Sequence, residues 1–111
     1  MTVPRVVPSV EVAEKPSWRA AVPIAMVVDN PRGSQEIYDK VRERAGLERP
    51  AGGILHVAGP SPNGGWRVIE LFESEQEAKR FLKERLRPAF QAVGAPSPPQ
   101  PQFWPVHNYM T

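Results

Sequence analysis

The chain has 111 residues, fourteen of them proline and none cysteine, and a formal net charge of +2. That length holds one domain and excludes a second independent core. The missing thiols exclude a disulfide framework, a thiolate metal site and a cysteine nucleophile, so a small core is expected to be stapled by oligomerisation.

Residues 1–22 mix valines with Pro4, Pro8, Pro16 and charges, which predicts an extended arm with Trp18 as its anchor rather than a helix. The domain proper is expected over residues 23–111. Pro23–Asp29 is a short apolar run closed by Asn30-Pro31-Arg32-Gly33, a buried strand followed by a turn. Ser34 then caps a helix over Gln35–Ala45, stopped by Gly46, with Ile37, Tyr38, Val41 and Ala45 on one stripe. Gly53–Gly59 and Trp66–Phe72 read as a hairpin around an Asn63-Gly64 turn signal. Ser74 and Glu77 form a capping box ahead of a long helix to Val93. Its stripe is Ala78, Phe81, Leu82, Leu86, Ala89, Phe90 and Val93, and Pro88 is expected to kink it. A Pro-rich bridge leads to a fourth strand over Gln102–Met110, where Pro105 argues for an edge position or a bulge.

The order is βαββαβ, an α+β, ferredoxin-like arrangement with a four-stranded antiparallel sheet covered on one face by two helices. Strands one and three are apolar on both sides, so the second face needs a cover. A second copy of the sheet is the simplest, giving a homodimer.

The basic residues of the helices sit beside glutamates and read as solvated faces, not as a nucleic-acid patch. The longest apolar run, Val22–Val28, is too short to cross a bilayer, and the first residues lack the apolar stretch of a signal peptide. A cytoplasmic protein with no nucleic-acid and no membrane partner is expected.

Few residues offer chemistry. His56 and His107 each read either as hydrogen-bonded structural groups or as acid–base groups of a pocket. His107 is favoured, because strand alternation places Phe103, Pro105, His107 and Tyr109 on one face, with Asn108 adjacent. The two histidines fall on opposite edge strands, roughly 14 Å apart, too far to share a metal within one subunit. No metal site is expected. Glu70, mid-strand among apolar residues, reads as a partner of Arg67 or as a pocket carboxylate. Asp29 reads as a cap or turn residue for the loop after strand one. Tyr38, Trp66, Phe72, Phe81 and Trp104 are core or dimer contacts, or together an aromatic lining for a flat ligand. No phosphate-binding glycine pattern and no nucleophile elbow is present.

The segments IAMVVD (24–29), GGILHVAGP (52–60), GGWRVIELFES (64–74), FLKERLRPAF (81–90) and PVHNYM (105–110) resemble the dimeric α+β barrel superfamily. Its antibiotic-biosynthesis-monooxygenase branch, and small actinobacterial members within it, are the nearest likeness. The resemblance implies a homodimer joined through the sheets, with a pocket for a small hydrophobic or aromatic molecule between sheet and helices. It also implies oxidation of aromatic polyketides without metal or flavin, so no cofactor is expected. The haem-degrading branch carries a histidine on its second helix, whereas Glu75–Val93 has none. The expected function is thus a cofactor-independent, monooxygenase-like enzyme of secondary metabolism. A polyketide cyclase or isomerase and a non-catalytic binding protein are the alternatives. His107, Glu70, Tyr109 and His56 are the catalytic candidates, and Trp66, Asn108, Phe72, Tyr38, Phe81 and Trp104 the binding candidates.

Overall fold

The computed structural model describes residues 22–111; the predicted arm and Trp18 lie outside the described residues, Val22 excepted. The elements follow the predicted order: β1 (Ile24–Asn30), α1 (Gln35–Ala45), β2 (Gly53–Pro60), β3 (Trp66–Phe72), α2 (Glu75–Phe81), a π-helical turn (Leu82–Leu86), α3 (Arg87–Val93) and β4 (Gln102–Pro105). The strands form one antiparallel sheet in the order β2-β3-β1-β4, the ferredoxin-like arrangement.

The start of each helix follows from local chemistry. The Ser34 hydroxyl accepts from the Ile37 N–H at 3.2 Å, and the Ser74 hydroxyl from the Glu77 N–H at 3.2 Å. The second cap works in one direction: the Glu77 carboxylate turns to Arg80, 3.4 Å away, in place of a reciprocal bond. Gly65, at φ +81°, starts β3 hard against the turn after β1, where a Cβ would overlap the Asn30 carbonyl oxygen.

The core lies between the helices and one face of the sheet. Ile24, Met26, Phe72, Ala78 and Leu82 form its centre, with Phe81, Leu86 and Phe103 packed around it. The register pairs Met26 with Glu70 and Phe103, so strand alternation assigns Ile24, Met26, Val28, Val68, Glu70 and Phe72 to the helix-covered face. The opposite face carries Ala25, Val27, Ile69 and Leu71, with Leu55, Val57 and Trp104 exposed.

Two elements depart from the sequence reading. The long helix is not simply kinked but widened over Leu82–Leu86, where the Arg87 N–H bonds the Leu82 carbonyl five residues back. Pro88 has no N–H to offer the Glu84 carbonyl, and its ring crowds that carbonyl, so the widened turn ahead of it relieves the clash. The fourth strand stops at Pro105 rather than running to Met110. Its last contact is the Val106 N–H on the Pro23 carbonyl at 2.9 Å, and the chain then leaves the sheet. Pro105 does sit on an edge strand, where a residue without a ladder donor is tolerated. Among the described residues no helix is long and apolar enough to cross a membrane.

Candidate functional site

Between α1, the sheet and the second helical segment lies a cavity of about 430 Å³, within the roughly 300–1,000 Å³ range of small-molecule sites. The α1 stripe read from the sequence, Ile37, Tyr38, Val41 and Ala45, forms one wall. Phe81, Leu86 and Phe90 form another, and Val28, Val68 and Trp66 close it from the sheet.

Three polar side chains from three elements meet in this cavity. The Tyr38 hydroxyl on α1 lies 2.5 Å from His56 Nε2 on β2. His56 Nδ1 lies 3.5 Å from Glu70 Oε1 on β3. Glu70 is only 5 % exposed, the buried charged residue of the described chain. With the Nδ1 proton turned to the carboxylate, Nε2 is left as acceptor for the Tyr38 O–H. Burial is the main cause that raises the Tyr38 phenol above its ordinary value of 10.0, with the Glu70 and Asp39 charges adding to it and Arg42 opposing. Tyr38 is therefore held in its phenol form, with an O–H to donate in a hydrogen bond.

A β-bulge makes this meeting possible. Gly53 opposes Phe72, but Leu55 opposes Leu71, so Ile54 is an extra residue in β2. Uninterrupted pairing from Gly53 would bring Leu55 opposite Glu70 and turn His56 to the far face. The bulge moves His56 opposite Glu70. Arg49 braces it, with Nη1 donating to the Ile54 carbonyl at 2.7 Å and the Gly53 carbonyl at 3.3 Å.

Aromatic groups frame the triad. The Tyr38 ring stacks on His56 with centroids 5.9 Å apart, and lies tilted on Trp66 at 5.6 Å. Trp66 Nε1 is buried with no hydrogen-bond partner among the described residues. An unmet buried donor costs about 1–3 kcal/mol, which a ligand acceptor can recover.

The cavity thus gathers His56, Glu70, Tyr38, Trp66 and Phe81 from the predicted candidates. It does not include His107, Tyr109, Asn108, Phe72 or Trp104 among its lining. Phe72 is fully buried core, and Trp104 is exposed on the other face of the sheet. His107, Asn108 and Tyr109 follow the end of β4 and are exposed, so the alternation that put His107 and Tyr109 on one strand face does not apply. Glu70 faces His56, not Arg67. Arg67 instead grips Asp29 with two bonds of 2.6 and 2.9 Å, so Asp29 serves a cross-strand ion pair rather than a cap. Arg42, Arg49 and Arg85 also line the cavity; their positions on helix and loop gave the sequence no reason to single them out. Among the described residues no cluster of three or more histidine or acidic groups is arranged to hold a metal ion.

Fold and cavity together define an α+β, ferredoxin-like protein with a small-molecule-sized space between sheet and helices. Its likeness to solved structures is of the same kind. A conserved protein from Methanosarcina mazei Go1 superposes with a TM-score of 0.53 at 11 % identity, over 79 % of this chain and 96 % of that one. A Chloroflexus aurantiacus J-10-fl protein, provisionally described as an antibiotic biosynthesis monooxygenase, superposes with a TM-score of 0.54 at 11 % identity, over 80 % and 95 %. At that identity the likeness shows the fold alone. No protein-family model and no curated protein matches the chain.

Proposed function

We propose that the protein is a cofactor-independent enzyme acting on an aromatic or polyketide-type small molecule by acid–base chemistry, in the manner of a monooxygenase. The observation that carries this reading is the chain Tyr38–His56–Glu70 in the wall of an aromatic cavity. His56 Nε2 is the base that takes a proton from a phenol or activated C–H. Glu70 holds the Nδ1 proton and stabilises the imidazolium that results. Tyr38 transfers its hydrogen bond from Nε2 to the substrate oxygen, and the Trp66 N–H is a second donor for the negative charge that develops there. The electron-rich anion then reduces dioxygen. A C–O bond forms to give a hydroperoxide, and loss of water across the C–O–O–H unit leaves a carbonyl, so a CH₂ group plus O₂ yields C=O plus H₂O. The fold of the Chloroflexus protein is consistent with this reading. The same reading has the protein act in the cytoplasm as a homodimer, with Val57 and Trp104 of the second sheet face covered by a second copy.

The test is dioxygen uptake in the presence of a tricyclic anthrone. Wild-type protein is expected to consume it, with His56→Ala lowering kcat/KM by about 10²–10⁴-fold and Tyr38→Phe by less. Turnover of an enolisable polyketide mimic without dioxygen uptake assigns a cyclase or isomerase instead. Binding without turnover assigns a carrier or accessory role.

A further inference from the structure

The cavity is not electrically even. Its relay end holds Glu70 beside His56, while Arg42, Arg49 and Arg85 line it from α1, the following loop and the π-helical turn. Glu48 is the other acidic residue of the lining. Outside the cavity, Lys40, Arg67, Lys79 and Arg80 are paired with Glu36, Asp29, Glu75 and Glu77, and the other described cations, Arg32, Arg44, Lys83 and Arg87, do not line it. Among the described residues, none of the three cavity arginines has a carboxylate partner.

Two of the three are fixed by backbone rather than by charge. Arg85 donates from Nε to the Ala45 carbonyl at 2.7 Å, and from Nη2 to the Gly46 and Glu48 carbonyls at 3.0 and 3.2 Å. These carbonyls end α1, where a cation is favoured. Arg85 Nη2 sits so close over Gly46 that a Cβ there would approach it to 2.9 Å. Arg49 is held on the β2 bulge. Each retains donors not used in these bonds, since a guanidinium has five. Neutral carbonyls orient a guanidinium but do not cancel its unit charge.

Arg42 differs. It lies one turn beyond Tyr38 on the same face of α1, has no hydrogen-bond or ion-pair partner among the described residues, and its charge acts on the Tyr38 phenol. An unpaired arginine beside an aromatic donor, in a cavity with two more anchored guanidiniums, suits a planar oxyanion that accepts two parallel N–H bonds.

We infer that the ligand of this cavity is an aromatic acid, whose anionic group is taken up by Arg42 with Arg49 and Arg85 supplying the surrounding positive field, and whose ring lies on Tyr38 and Trp66. This rests on the aromatic-ligand reading above and narrows it to an anionic substrate class. Arg42 is the specificity-determining residue, separate from the acid–base relay.

Fluorescence titration with naphthoate, naphthamide and naphthyl phosphate separates the possibilities. Naphthoate is expected to bind about tenfold or more tighter than the neutral amide, as a charge-assisted bond adds roughly 1.5–3 kcal/mol. Arg42→Gln should erase that preference by weakening naphthoate far more than the amide, and Arg42→Lys should restore part of it. Tighter binding of naphthyl phosphate than of naphthoate, equally lost in Arg42→Gln, keeps the anion site and assigns it to a phosphate. Equal binding of amide and acids, or a preference that survives in Arg42→Gln, overturns the inference and leaves the aromatic cavity standing. Failure of all three probes to bind overturns the aromatic-ligand reading and the anion site with it.

Discussion

Two carboxylates on neighbouring strands show how one residue type is put to opposite uses. Glu70 is buried beside a histidine on the cavity face, whereas Asp29 lies at the rim of the far face within the grip of Arg67. The Arg67 guanidinium, bonded to Asp29 through two nitrogens, holds that carboxyl below its ordinary value of 3.8, with Ser61 helping. The folded chain therefore binds this proton more weakly than the unfolded chain. The stabilisation is complete above 3.8 and is lost as pH falls through the lowered value. The urea midpoint of the wild type is accordingly expected to drop more steeply than that of Asp29→Asn between about pH 5 and 2. Because both side chains are partly exposed, the difference should shrink in molar salt. Parallel acid profiles for the two proteins would remove the pair from the stability of the sheet.

At the scale of elements, the parts the sequence makes legible are those with a local cause. Helix α1 and strand β3 run between the residues that the serine cap, the glycine stop and the apolar periodicity mark. Strand β4 and the second helical segment were legible as elements but not in detail, since each is cut by what a proline does to its neighbours. The bulge in β2 was not legible at all. Gly53–Gly59 reads as an uninterrupted strand, and nothing in GILHVAG marks Ile54 as the residue left out of the ladder. The choice between the two histidines depended on that one residue. Extending β4 favoured His107, while only the bulge brings His56 to Glu70. Arg49 is the side chain that occupies the bulge carbonyls, so Arg49→Leu is expected to loosen it. In the variant, nuclear Overhauser contacts between the His56 and Tyr38 rings should weaken or vanish. Contacts identical to those of the wild type would mean that strand pairing alone sets the bulge.

Among the described residues the helices cover one face of the sheet and no element packs on the other, which is also apolar. On that second face Leu55, Val57 and Trp104 are 40 %, 50 % and 47 % exposed, while Ala25, Val27 and Leu71 are buried. In the homodimer proposed above, the exposed part of this face is the interface. A sheet that is its own complement is satisfied by a two-fold partner, because each copy brings the same patch. Covering the exposed half of a side chain such as Val57 is worth about 1 kcal/mol per copy, and a carboxylate placed there is desolvated without a partner. The double variant Val57→Asp, Trp104→Asp should therefore weaken self-association by more than about a hundredfold. Sedimentation at micromolar concentration is expected to give twice the chain mass for the wild type and the chain mass for the variant. Neither Val57 nor Trp104 lines the cavity of Tyr38, His56 and Glu70, so the dissociated variant should still bind a naphthyl probe. A wild type that sediments at the chain mass would instead overturn the homodimer and separate the cavity from any need for a second copy.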